Sequence, residues 1–248
     1  AIKAAQAVNY HNAGTVEFIV DKHLNFYFLE MNTRLQVEHP ITEMVTGIDM
    51  VKEQIRIARG DRLSFSQDEI IPRGSSMECR IYAEDPFNDF APSPGKIIEY
   101  VPPAGGIGIR NDSGVYEGYT VPIHYDPLIS KLVVWGRDRT EAINRMKRAL
   151  FEFRISGIKT SIPYFLQIFE NAEFRSGNYT TKLIERIESK KVPISENEEL
   201  IALLASGLRE MSSKGTDNGN GSSLSNDSAG SCRRSWKYHS RMKNMRRF

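Results

Sequence analysis

Eleven consecutive residues, Glu30-Met31-Asn32-Thr33-Arg34-Leu35-Gln36-Val37-Glu38-His39-Pro40, hold two carboxylates, a guanidinium and two side-chain amides. Carboxylates beside an amide oxygen are hard-cation ligands, and an arginine fork among neutral donors suits a small, carbonate-like oxyanion. A carboxylate facing such an arginine, here Glu38, has the position of a general base. Taken alone, Arg34 and Glu38 are equally a surface ion pair.

The elements that must position these groups lie just upstream. Gly14-Thr15-Val16-Glu17-Phe18-Ile19-Val20 and Phe26-Tyr27-Phe28-Leu29-Glu30 are apolar, aromatic and β-branched runs around a polar segment, the pattern of a β-hairpin. With Lys22 to Asn25 as a four-residue loop, Asp21 faces Phe26, and counting back places Glu17 opposite Glu30. Opposed carboxylates repel unless a proton, a cation or water intervenes. Magnesium fits, taking one or two carboxylates and completing its octahedron with water and phosphate oxygens. Asn32, two residues on, would add an oxygen on the same face. The same alternation also describes a plain polar face on an edge hairpin.

Gly-Thr-Val-Glu-Phe, the Phe28 to Glu43 segment and Tyr125-Asp126-Pro127-Leu128-Ile129-Ser130-Lys131-Leu132 resemble biotin carboxylase, the ATP-grasp component of biotin-dependent carboxylases. The resemblance runs from Ala1 to about Glu188. It implies that Glu17, Glu30 and Asn32 bind Mg²⁺ or Mn²⁺, and that Glu17, Ile19 and Glu30 lie toward ATP. It implies that Arg34, Gln36, Val37 and Glu38 hold bicarbonate, with Glu38 as base and Arg34 as the catalytic anion holder. In Gly105-Gly106-Ile107-Gly108-Ile109-Arg110 it assigns Arg110 to the biotin enolate. Without the resemblance Arg110 is a surface charge beside a glycine-rich loop. Asp126 and Lys131 are expected near the site, with structural roles first. The implied activity is ATP- and bicarbonate-dependent carboxylation of carrier-bound biotin through carboxyphosphate. The alternatives are another ATP-grasp ligase of the carbamoyl-phosphate synthetase type, or a non-catalytic assembly fragment.

The implied fold is α+β: the C-terminal part of an ATP-grasp domain over 1–60, then a biotin carboxylase C-terminal domain over 61–190, an antiparallel sheet with helices. A helical extension (191–211), a flexible Ser-, Gly- and Asn-rich linker (212–232) and a basic tail (233–248) complete the expected organisation. Asp49 caps an expected helix carrying Met50, Val51, Gln54, Ile55 and Ala58 and ending at Gly60. Strands are expected at 76–82, 96–101, 116–121 and 128–135. Thr140 is the expected cap of an amphipathic helix with Ala142, Ile143, Met146, Ala149, Leu150 and Phe153 on one face, and shorter helices are expected at 163–170 and 181–188. The first ten residues have helical periodicity but no cap, so the sequence reads as entering mid-helix, the C-terminal half of a longer enzyme.

The chain has 248 residues, 40% of them hydrophobic, and a formal net charge of +2, enough to bury a core and too balanced for a broad nucleic-acid surface. No apolar run approaches a membrane span. Cys79 and Cys232 have neither metal-ligand nor disulfide spacing, which favours a reducing compartment, the cytoplasm or an organelle matrix. Trp236 and Tyr238 among the basic residues of the tail suggest docking onto protein. No Ala-Met-Lys-Met biotin-attachment motif occurs, so the expected partners are a separate biotin carboxyl carrier protein and a carboxyltransferase subunit. A homodimer is expected, with no nucleic acid and no membrane. The acyl acceptor, whether acetyl-CoA, propionyl-CoA or pyruvate, is not written in these residues.

Overall fold

The computed structural model describes residues 1–188, which fall in one compact unit spanning Ala1–Lys190. The expected extension, linker and basic tail, with Cys232 and Trp236, lie outside the described residues. A short helix α1 (Ile2–Ala7) leads into the hairpin of β1 (Thr15–Val20) and β2 (Phe26–Asn32). Helices α2 (His39–Thr46) and α3 (Met50–Ala58) follow, then a single 3₁₀ turn at Gln67–Glu69. The remainder comprises β3 (Ser75–Tyr82), β4 (Glu84–Asp85), β5 (Ala91–Pro92), β6 (Gly95–Lys96), β7 (Glu99–Val101), β8 (Ile109–Ser113), β9 (Thr120–Val121), β10 (Leu128–Gly136), α4 (Arg139–Glu152), β11 (Arg154–Ser156), α5 (Ile162–Glu170), α6 (Ala172–Ser176) and α7 (Leu183–Glu188).

Among the described residues every strand pairing is antiparallel, as the α+β expectation requires. The largest sheet is three-stranded in the order β3-β10-β8; the other strands pair as short two-stranded ribbons. The expected strand at 96–101 is broken into β6 and β7, and only Thr120–Val121 of 116–121 is strand. β8 was not anticipated. Its Ile-Arg-Asn-Asp-Ser sequence has too little apolar character to announce a strand, yet it pairs with β10 along five residues.

The three-stranded sheet has two unlike faces because strand side chains alternate. Met77, Cys79 and Ile81 of β3 and Leu132 and Val134 of β10 are buried with Ala142, Ile143, Met146, Ala149 and Leu150 of α4 in one core. Truncating Met146 to alanine should cost about 2–5 kcal/mol, since it is fully enclosed. Gly136 permits α4 to follow β10 so closely: a Cβ there would lie 2.5 Å from the amide nitrogen of Ala142. The cap of α4 is Asp138, whose side chain accepts from the Glu141 amide at 2.8 Å, not Thr140. Asp49 caps α3 as expected, accepting from Lys52 N at 2.8 Å.

The opposite face of the sheet carries Glu78 and Arg80 on β3, Lys131 on β10, and Arg110 and Asp112 on β8. Arg80 is the register partner of Lys131, and Lys131 that of Asp112. Helix α2 packs on this charged face, against β3 and β10. Among the described residues no helix is long and apolar enough to cross a membrane. Cys79 is free and buried, and burial pushes its thiol far above the ordinary range, so it is an inert core residue.

Candidate active site

The hairpin places Glu17 directly opposite Glu30, the expected pairing, but by a different route from the one counted. Val20, not Asp21, faces Phe26, and a β-bulge at Leu29 restores the register before Glu30. Asn32 Nδ2 donates to Glu17 Oε1 at 2.9 Å and to Glu30 Oε1 at 3.1 Å, so the three expected cation ligands converge on one point. Among the described residues no group of three or more His, Cys, Asp and Glu side chains is placed to hold a metal ion. As placed, Asn32 turns its nitrogen to the carboxylates and its oxygen toward Arg34; with the amide turned over, two carboxylates and one amide oxygen would be a fitting donor set for magnesium, whose remaining ligands are ordinarily water and phosphate.

Arg34 connects this cluster to the next. Its NH2 lies 3.4 Å from Asn32 Oδ1, and its NH1 donates to Gln36 Oε1 at 2.6 Å and to Leu35 O at 3.3 Å. Arg34, Gln36 and Glu38 line a recess of about 250 Å³ with Gly14, Thr15 and His39. Val37 is half exposed, and its carbonyl accepts from Lys131 Nζ at 3.1 Å. Ile19 stands apart, exposed on β1 opposite Tyr27, and does not line this recess.

Glu38 is the residue that enters α2, at the end of the helix whose partial positive charge favours an anion, and its own carbonyl accepts from Ile41 N at 3.1 Å. Pro40 starts this helix without sacrificing a hydrogen bond, and Gly47, at φ +76°, ends it in the left-handed conformation that glycine adopts without strain. Across from it, Arg80 NH2 donates to Glu38 Oε2 at 2.7 Å, while Arg80 Nε faces Glu78 Oε1 at 3.3 Å. Neither Arg80 nor Glu78 was singled out from the sequence. The available signal was the alternation of β3, in which Glu78, Arg80 and Tyr82 interrupt Met77, Cys79 and Ile81, two charges on a strand whose other face is core.

Arg110 is differently occupied. Its Nε and NH2 each donate at 2.8 Å to Asp112, and NH1 donates at 2.6 Å to Glu43 Oε2. Asp112 first, and Glu43 with it, hold this guanidinium more firmly charged than a free one. It lines a separate recess with Glu43, Ile48, Asp49 and Lys52 rather than the one holding Arg34 and Glu38. Arg110, expected on the biotin side of the site, therefore stands apart from Glu38; the arginine touching Glu38 is Arg80. Asp126 accepts from Leu128 N at 2.9 Å, a local turn contact as first expected.

Residues 78–186 match the biotin carboxylase C-terminal domain, and residues 1–66 match the ATP binding domain of the carbamoyl-phosphate synthase L chain. A biotin carboxylase of Nostoc sp. is 56% identical over 187 residues, 75% of this chain and 42% of the relative. The chain is homologous to the biotin carboxylases over these residues. A pyruvate carboxylase subunit from Methanothermobacter thermautotrophicus is 54% identical over 83% of this chain and 43% of its own length. Among solved structures, the biotin carboxylase domain dimer of Hydrogenobacter thermophilus 2-oxoglutarate carboxylase, in complex with MgADP, ADP and bicarbonate, superposes with a TM-score of 0.71 at 51% identity. That match covers 75% of this chain and 41% of the other. The chain therefore spans about two fifths of the length of the biotin carboxylases it matches. The Arg80–Glu38 pair joins the two segments with separate family matches.

Proposed function

We propose that this chain carries the cation, bicarbonate and biotin-side residues of an ATP-dependent biotin carboxylase. The observation that carries the reading is the convergence, along one line of contacts, of a hard-cation trio, an arginine-lined recess and a carboxylate paired with a second arginine. These are the parts needed to join a small oxyanion to a nucleotide phosphate and then protect an anionic acceptor.

Glu17, Glu30 and Asn32 hold Mg²⁺ or Mn²⁺, which when bound neutralises the charge of the ATP phosphates. Ile19 lies toward the nucleotide. Arg34, with Gln36 and the backbone of Val37, orients bicarbonate, and Glu38 removes its proton so that a bicarbonate oxygen attacks the γ-phosphorus of ATP and releases ADP. The product, carboxyphosphate, breaks at its carbon–oxygen bond to carbon dioxide and phosphate. Phosphate takes the proton from biotin N1′, and the nitrogen attacks carbon dioxide. Arg80, in place of Arg110, meets the negative charge that grows on the biotin oxygen.

Biotin arrives on a separate carrier protein, the carboxyl group leaves to a carboxyltransferase subunit, and the enzyme works as a cytoplasmic homodimer. The dimeric Hydrogenobacter structure supports the homodimer. The match of residues 1–66 to an ATP binding domain of carbamoyl-phosphate synthase favours a second reading, a ligase that uses bicarbonate without biotin. Phosphate release from ATP, measured with the product of the complete gene beside the 248-residue chain, separates them. Release that requires bicarbonate and rises with biotin supports the carboxylase. Release indifferent to biotin supports the other ligase, and no release by either protein leaves an assembly role.

A further inference from the structure

Glu78 is a carboxylate in an unfavourable place. Its side chain is only 4% exposed, Oε1 takes one long contact from Arg80 Nε, and Oε2 accepts nothing among the described residues. Burial pushes its carboxyl above the ordinary range, against the lowering effect of Arg80 and Lys131; Glu38 reinforces the rise. Those three groups, from β3 itself, from β10 and from the entrance to α2, are the charges that face it. Glu43, also on α2, is engaged with Arg110. Enclosing a carboxylate that leaves one oxygen without a partner costs stability, so its presence calls for a reason outside stability.

The reason lies in the two edges of Arg80. Its Nε edge rests on Glu78 and its outer amino group on Glu38, 42 residues away in sequence. When Glu38 accepts the proton of bicarbonate it becomes neutral and loses most of its hold on Arg80. A half-exposed arginine released at that moment would sample many rotamers. We infer that Glu78 is a positioning residue, which anchors Arg80 by Nε so that its outer amino group passes from Glu38 to the anionic biotin oxygen without the guanidinium moving away. Glu78 touches no reactant and acts only through Arg80. This inference rests on the carboxylase reading above.

The test uses the product of the complete gene and its Glu78→Leu and Glu78→Gln variants. Three quantities are measured: the melting temperature, bicarbonate-dependent ATP cleavage without biotin, and kcat and KM for carboxylation of free biotin. Glu78→Leu should melt no lower than the wild type yet lose about 10- to 100-fold in kcat for biotin, with a much smaller change in ATP cleavage. Glu78→Gln keeps an oxygen for Arg80 Nε and should recover most of that loss. If Glu78→Leu does not fold, Glu78→Asp, which keeps the charge but withdraws it by one carbon, takes its place with the same expected loss of kcat. Unchanged biotin turnover in the folded variants, or turnover and melting temperature falling in step with no recovery by glutamine, overturns the inference. A wild-type protein without bicarbonate-dependent ATP cleavage overturns the carboxylase reading instead.

Discussion

Arg80 NH2 lies 2.7 Å from Glu38 Oε2, an ion pair that ties the middle of β3 to the first residue before α2. It makes the general-base candidate and the arginine proposed for the biotin side direct neighbours. Replacing Arg80 by methionine should reduce biotin carboxylation by about 10²- to 10³-fold, the scale of losing one donor to a developing oxyanion. Biotin-independent ATP cleavage should fall less. Equal losses in the two assays would place Arg80 in bicarbonate activation instead.

Arg110 should behave otherwise. Arg110→Ala leaves Glu43, whose side chain is 10% exposed, with the Met50 amide but no cation, and removes both contacts to Asp112, so about 2–3 kcal/mol of stability should be lost. The catalytic constants of the folded variant should change little. Chemical denaturation beside steady-state kinetics checks this, and a large fall in kcat at unaltered stability would return Arg110 to the site.

Glu38→Gln keeps the shape of the side chain but cannot take a proton. Bicarbonate-dependent ATP cleavage should drop about 10²- to 10⁴-fold, while nucleotide affinity, measured by calorimetry, stays the same. Retained turnover would remove Glu38 as the base.

Glu17→Gln and Glu30→Gln each remove one charged oxygen from the point shared with Asn32. The Mg²⁺ concentration for half-maximal ATP cleavage should rise by at least the roughly 10- to 100-fold that losing a mere supporting contact to a metal ligand costs. A solvated edge hairpin would show no change in that titration.

Glu78 also makes a pH prediction. Its folded carboxyl titrates above the unfolded value because burial dominates over Arg80 and Lys131. Stability contributed by its protonated form is fully present below the unfolded value and is lost as pH rises through the folded one. Glutamine does not titrate, so Glu78→Gln should be more stable than the wild type at neutral pH, with the gap narrowing on acidification. Urea unfolding at several pH values measures the gap, and a constant difference would contradict it.

The pairing of Glu17 with Glu30 was legible in the sequence, although two deviations cancelled in the counting. Asp21 accepts from the amides of His23 and Asn25, and Leu24 takes φ +66°, so the turn closes one residue earlier than counted; the bulge at Leu29 then supplies the missing step. Alternation exposes strand parity but not a bulge, whose cause is local backbone geometry. The capped helix α3 and the apolar stripe of α4 were equally plain, because period and cap are written locally. Helix α2 was not, being eight residues long and entered by a glutamate with no side-chain cap. Arg80 and Arg110 stand on the same charged sheet face, and only the register of β3, β10 and β8 decides which of them meets Glu38. That contact is made across 42 residues of sequence, beyond the reach of any local pattern.

The central claim is that this site joins bicarbonate to the γ-phosphate of ATP, and isotope transfer tests it most directly. With bicarbonate labelled by ¹⁸O at all its oxygens, the product of the complete gene is given ATP, magnesium and biotin, and the released phosphate is weighed by mass spectrometry. Attack through a bicarbonate oxygen predicts phosphate carrying one labelled oxygen. Unlabelled phosphate, its new oxygen taken from water, would mean that the site hydrolyses ATP without making carboxyphosphate, and would contradict the account.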